Sequence, residues 1–256
     1  FLDPRIGTGS EVTRTGAQSL SVPEGDKLRY TLPKIKVALF VAPACDREGN
    51  IYMRNAACYT ESLESSLAAR ANGGTVIVSV AEIIEKNETE IFMTADQVDH
   101  IVVNPFSEQT GSISQRRYWK MFTPESDVSL DVGVEKLRFA NAVLKITPVR
   151  DAVDECLARL AATWFTRMSQ AGALVNIGVG LPEEVARLLQ EGGLLKDLTL
   201  FTETGCIGGL PAPGIFFGAA VCPERLTTSA KVFHLAYEKL DTTILGILEC
   251  DSDGNI

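Results

Sequence analysis

The stretch "GALVNIGVGLPEEVARLLQEGGLLKDLTLFTETGCIGG", Gly172 to Gly209, decides how the fold is read. A short apolar run from Leu174 to Ile177 meets the glycines Gly178 and Gly180. "LPEEVARLLQE" then places apolar residues at helical spacing and stops at Gly192-Gly193, after which "LTLF" enters "TETGCIGG". Strand, helix, strand is a βαβ unit, and both of its strands end in glycine-rich turns. Ligands of open parallel sheets bind at such carboxyl ends of strands. The second turn carries a single carboxylate, Glu203, followed by Gly205, Gly208 and Gly209.

Upstream, "PVRDAVDECLARLAATWFTRM" sets Val149, Val153, Cys156, Leu157, Leu160 and Trp164 near one face, which predicts a helix opening at Pro148. Further away lies an internal echo. "CDREGNI" at Cys45 to Ile51 returns as "CDSDGNI" at Cys250 to Ile256, five of seven positions being identical. Each copy follows an apolar run, "VALFVAPA" or "TTILGILE", and reads as a buried strand entering a tight turn, although seven residues alone are also compatible with chance or a common hairpin. After the first copy, Thr60 is expected to cap a helix that runs to Asn72 and stops at Gly73, with a strand from Thr75 to Ile84. The fold class is therefore α/β, with two similar open α/β domains of which parts are present. Residues 1–106 read as the later part of the first, the loosely patterned 107–147 as an interdomain linker, and 148–256 as the earlier part of the second. A chain that stops just after a turn in a buried strand pair reads as a fragment of a longer protein.

Of the 256 residues, 45% are hydrophobic and 22% charged, the composition of a soluble globular protein. No run of about 18 apolar residues is present, and "FLDPRIGTGS" has neither a basic nor an apolar signal region, so the expectation is a cytoplasmic protein without membrane contact. A net charge of -9 argues against nucleic acid as a partner. The six cysteines form no CxxC pair and there are two histidines, His100 and His234, so neither a metal site nor a disulfide framework is expected.

Three readings compete at the glycine turns. Gly178 and Gly180 have the G-x-G spacing of a dinucleotide loop, and Glu203 falls 25 positions after Gly178, near where a ribose-binding acid would stand. The third glycine of that fingerprint is replaced by Glu183. A second reading is a βα turn with no ligand, Glu203 being a solvated strand end. The third takes the small residues Thr202, Thr204, Gly205, Gly208 and Gly209 as room for a ligand beside the carboxylate, with "LPAPGIFFGAAVCPERL" as a stiff wall. Cys206 next to Glu203 reads as a small buried cysteine, and "DSDGN" lacks the ligands of a calcium loop.

At "NIGVGLPEEVARLL", "TETGCIGGLPAPGIFFGAA" and "CDSDGNI" the chain resembles the family I coenzyme A transferases, in particular the fused acetate, propionate and 3-oxoacid type. "FLDPR" and "CDREGNI" match the first half of the same family. The resemblance implies a CoA-transferase-like fold and makes Glu203 the nucleophile that forms acyl-glutamyl anhydride and glutamyl-CoA thioester intermediates. It assigns Asn176, Gly178, Val179, Gly180, Gly205, Gly208 and Gly209 to oxyanion and CoA binding, with the Val179 N–H as an oxyanion donor. It implies acyl-CoA and small carboxylic acids as partners, a homo-oligomer, and no cofactor beyond coenzyme A as substrate. A non-catalytic CoA- or nucleotide-binding module and a lyase or hydrolase subunit on the same fold are the alternatives.

Overall fold

The computed structural model describes residues 21–25, 27–30, 33–107, 119–145 and 147–254. "FLDPR", residues 108–118 of the expected linker and the last two residues of the second echo lie outside them. A hairpin of β1 (Ser21–Glu24) and β2 (Lys27–Tyr30) forms its own two-stranded sheet.

The first large sheet is built from β3 (Val37–Asp46), β4 (Ile51–Tyr52), β5 (Thr75–Ile84), β6 (Ile91–Met93) and β7 (His100–Val103), in the order β6-β4-β3-β5-β7. β3, β5 and β7 are parallel, whereas on the β3 side β4 pairs antiparallel with β3 and β6 antiparallel with β4. Alternation along β3 and β5 sends Ala38, Phe40, Ala42, Val76, Val78 and Val80 into one core with Ala69 of helix α1 (Ser62–Ala71). The helix stops where the sequence predicts, at Asn72 before Gly73 in a left-handed conformation (φ +65°). Its start differs from expectation. Glu61, not Thr60, occupies the N-cap, because Thr60 is left-handed (φ +52°) and its backbone is engaged elsewhere.

The second sheet contains β8 (Leu174–Ile177), β9 (Thr199–Phe201), β10 (Cys206–Ile207), β13 (Arg225–Leu226) and β14 (Thr242–Ile244), in the order β13-β10-β9-β8-β14. Again three strands, β14, β8 and β9, are parallel, and two antiparallel pairings, β9 with β10 and β10 with β13, extend one side. Between β10 and β13 the proline-glycine segment folds as a small hairpin of β11 (Leu210–Pro211) and β12 (Ala220–Val221). Helix α2 (Leu130–Leu144) precedes the sheet, with α3 (Ala152–Met168), α4 (Leu181–Glu191) and α5 (Ser229–Lys239) following in turn.

Three expectations change here. The supposed linker carries α2, capped by the Ser129 hydroxyl, and buries Met121, Phe122, Val134 and Leu137 in the second core; Gly133 lets the helix lie against Val221. Helix α3 opens at Ala152, not Pro148, because the Asp151 carboxylate accepts the N–H groups of Val153 and Asp154. The apolar face read from the sequence is turned outward, with Trp164 64% exposed, and small Ala158, Ala161 and Ala162 with Phe165 provide the close contact to the core. Finally, "TTILGILE" is a strand only as far as Ile244. β14 pairs on one side with β8, and β8 ends in the glycine turn, so among the described residues Leu245 to Glu249 have no strand to pair with, and Leu248 is fully exposed.

The echo corresponds to one turn made twice. Asp46 Oδ1 accepts the Glu48 N–H at 2.9 Å and its C=O accepts the Gly49 N–H at 3.2 Å; Asp251 holds Asp253 and Gly254 at the same 2.9 and 3.2 Å. Gly49 and Gly254 both have positive φ, +96° and +82°. The copies differ in burial. Asp46 is 3% exposed, and although burial pushes its carboxyl up, hydrogen bonds from the Asn50 side chain and backbone, the Tyr52 hydroxyl and the Glu48 N–H outweigh it and hold the pKa at about 2.

Candidate active site around Glu203

Strands β14, β8 and β9 lie side by side with Thr243 opposite Asn176 and Asn176 opposite Phe201. Parallel register thus lines up three residues at the carboxyl edge, and Glu203 follows two positions beyond. The Thr243 hydroxyl donates to Asn176 Oδ1 at 3.0 Å, which leaves the Asn176 Nδ2 facing the other way. Nδ2 donates to Glu203 Oε1 at 3.1 Å and to the Phe201 carbonyl at 3.5 Å. Asn176 is buried and Glu203 partly exposed, so one carboxylate oxygen is fixed by a dry amide while the group remains reachable.

Glu203 sits in a tight turn joining β9 to β10. The Gly205 N–H donates to the Thr202 carbonyl and the Thr202 N–H to the Cys206 carbonyl, each at 3.0 Å. Hydroxyls of Thr202 and Thr204 both donate to the Gly218 carbonyl and fasten the turn to the proline-glycine wall. Gly205 has φ +101°, and a Cβ there would strike the Thr227 carbonyl. Gly208 and Gly209 also have positive φ; their missing side chains make room for the Glu224 side chain and for the carbonyls of Val221 and Cys222. At all three positions the empty volume is filled by the chain itself, which brings its backbone close to the turn.

The first glycine turn divides its labour. Gly178 continues the sheet, its N–H donating to the Ile244 carbonyl at 2.8 Å, so that donor is occupied. Val179 is 57% exposed and its N–H meets no acceptor among the described residues. Gly180, with φ +97°, is the N-cap of α4, whose N-terminus carries the partial positive charge of the helix dipole. Glu183, the mismatch to the dinucleotide fingerprint, is 6% exposed. Burial pushes its carboxyl up, while the N–H groups of Gly180 and Gly214 and the charge of Arg150 pull it down. Burial wins and the pKa is raised overall, so what the sequence offered as an out-of-place charge is a buried acid in the first turn of α4.

Cys206 is fully buried, its thiol pushed up to about 11 by burial, and its Sγ donates to the carbonyls of Ala57 and Gly218. It is a packing residue, as read from the sequence. His234 is exposed beside Glu238. Thr243 is the site residue that sequence reading missed. Its role depends on β14 pairing in register with β8, and nothing in "DTTILG" announces that pairing. Among the described residues, no helix is long and apolar enough to cross a membrane.

A partly exposed carboxylate aimed by an amide, at the same carboxyl edge of the sheet from which α4 starts, suits attack on an electrophilic carbonyl. No family model matches the chain. It is 29% identical over 264 residues to the caffeate CoA-transferase of Acetobacterium woodii, covering 100% of this chain and 47% of that protein. It is 26% identical over 265 residues to the acetate CoA-transferase YdiF of Escherichia coli O157:H7, covering 100% and 46%. The crystal structure of the acyl-CoA transferase YdiF apoenzyme from that organism matches with TM-score 0.73 at 24% identity, covering 100% of this chain and 45% of that one. Its thioester complex with CoA matches with TM-score 0.71 at 24% identity, covering 92% and 43%. The chain spans about half the length of the curated relatives it matches. It is homologous to these CoA-transferases and shares the α/β fold of YdiF.

Proposed function

We propose that this chain carries the nucleophile of a CoA-transferase of the family I, fused type, which moves coenzyme A between a short-chain acyl-CoA or 3-oxoacyl-CoA and a free carboxylic acid. The observation that carries the reading is the Glu203 carboxylate held at 3.1 Å by Asn176 at the carboxyl edge of the parallel strands. Homology to caffeate and acetate CoA-transferases supports it.

Glu203 attacks the thioester carbonyl of the acyl-CoA, forming an acyl-glutamyl anhydride and releasing CoA as its thiolate. The thiolate attacks the glutamyl carbonyl, giving a glutamyl-CoA thioester and expelling the first acid as its carboxylate. An acceptor carboxylate then attacks that thioester to give a new anhydride and CoA thiolate, and thiolate attack on the acceptor's acyl carbonyl yields the new acyl-CoA and frees Glu203. Each step exchanges one anionic nucleophile for one anionic leaving group, so no net proton is needed. Asn176 holds the carboxylate in a near-attack position, with Thr243 fixing the amide. The Val179 N–H at the mouth of α4 is the donor for the developing oxyanion. A carboxylate is a weak nucleophile toward a thioester, so binding energy from the remote nucleotide part of CoA must offset the difference.

The test is acceptor dependence in the intact protein. Consumption of acetyl-CoA is expected to require propionate and to yield propionyl-CoA in equal amount. Release of free CoA at the same rate without propionate points to hydrolysis and removes the transferase reading.

A further inference from the structure

The turn bearing Glu203 is also held from the first sheet. Ala57 to Thr60, between β4 and α1, reaches across to it: the Cys206 Sγ donates to the Ala57 carbonyl at 3.2 Å, and the Thr60 N–H donates to the carbonyl of Thr204, the residue after Glu203, at 3.0 Å. On its other side the Thr60 carbonyl accepts the N–H of Ser229, the first residue of α5, at 2.9 Å. Both backbone groups of one residue are thus spent on the second unit. Thr60 makes these bonds with φ +52°, a conformation that L-residues with a branched Cβ rarely adopt. Strain of this kind persists only where the surroundings over-determine it.

Those surroundings are largely buried and cross-linked. Ala57 and Cys58 are fully buried, and Cys58 clusters with Cys206 and Ala220. The Thr228 hydroxyl donates to Glu64 Oε1 of α1, and both Glu64 Oε2 and Ser229 Oγ are buried with no hydrogen-bond partner among the described residues. The Thr227 N–H in turn donates to the Gly205 carbonyl at 2.9 Å.

We infer that Thr60 is a positioning residue for Glu203: its left-handed backbone clamps the nucleophile's turn to α5 and makes the aim of the carboxylate depend on docking of the first sheet. The inference rests on Glu203 being the nucleophile. Asn176 fixes the carboxylate end and Thr60 the backbone end, so a shift at Thr60 moves the reacting oxygen without touching the CoA-binding surface.

Kinetics of the intact protein with acetyl-CoA and propionate test it. Thr60→Pro removes the N–H and forces φ to negative values; kcat is expected to fall about 100-fold with KM for acetyl-CoA within about threefold, as for a misplacement near 1 Å. Thr60→Gly adopts the same φ without strain and is expected to bring kcat back to within about threefold of the unsubstituted protein. Unchanged kcat in Thr60→Pro, or equal losses in the two variants, overturns the inference. Should Thr60→Pro not fold, Glu64→Ala loosens the same junction while leaving the Thr60 backbone bonds in place, and is expected to cost about tenfold in kcat rather than in KM; a loss confined to KM, or no loss, overturns it. Loss of activity in Glu203→Gln alongside full activity in the Thr60 variants rejects the clamp alone. Full activity in Glu203→Gln rejects the nucleophile itself.

Discussion

Glu203→Gln is expected to lower kcat for acyl exchange by at least about 10⁴-fold, some 5.5 kcal/mol of transition-state stabilisation, while leaving the fold unchanged. The amide keeps the oxygen that accepts from Asn176 Nδ2, and the side chain is partly exposed, so no buried group is orphaned. What is lost is the charge and with it the attack on the thioester. Far-ultraviolet circular dichroism and the unfolding temperature should match those of the unsubstituted protein, and exchange between acetyl-CoA and propionate should vanish. Retained exchange would leave Glu203 as a polar strand end.

Gly205→Ala is expected to damage both stability and activity. The new Cβ collides with the Thr227 carbonyl, and φ +101° is itself strained for alanine. Neither side can yield without cost, because the Gly205 N–H and C=O are both hydrogen-bonded, to Thr202 and Thr227. Overpacking and the wrong backbone region together should cost about 3 kcal/mol. At about 2–4 °C per kcal/mol for a chain of this size, the unfolding temperature should drop by roughly 10 °C. Because the turn is displaced with its carboxylate, kcat at permissive temperature should also fall at least about 100-fold. An alanine variant with the original stability and rate would mean that the turn is not held as tightly as its contacts indicate. Gly180→Ala is an informative contrast, since its Cβ meets nothing within 4 Å and only the positive φ opposes the substitution.

Between Gly172 and Gly209 the sequence was nearly transparent. Period and punctuation agreed there: β8 ends at the first glycine turn, α4 stops at Gly192-Gly193, and β9 delivers Glu203 to the sheet edge. Elsewhere, competing forces hid the outcome. The stripe on α3 is amphipathic in the expected sense, yet its alanine side packs against the core, because close helix approach favours small residues over a wide apolar face. In α2, glycine and alanine at contact positions weakened the apolar period that would have separated a helix from a linker. Thr60 looked like an N-cap by residue type, but its left-handed backbone follows from Thr204 and Ser229, partners distant in the chain. Thr243 and Glu183 have the same origin, since strand register and the burial of a carboxylate are tertiary facts. The glycines after Glu203 were read as space for a ligand, and their Cβ positions are filled by the chain's own carbonyls and the Glu224 side chain. Their service to the carboxylate is to let the backbone fold tightly behind it.

The most direct measurement is covalent trapping. The intact protein is incubated with acetyl-CoA, quenched with borohydride, digested and mapped by mass spectrometry. A nucleophilic Glu203 predicts a reduced side chain at that residue, dependent on acetyl-CoA and absent from Glu203→Gln. Reduction at another residue, or a stable acyl group on Cys206 with Glu203 untouched, would contradict it.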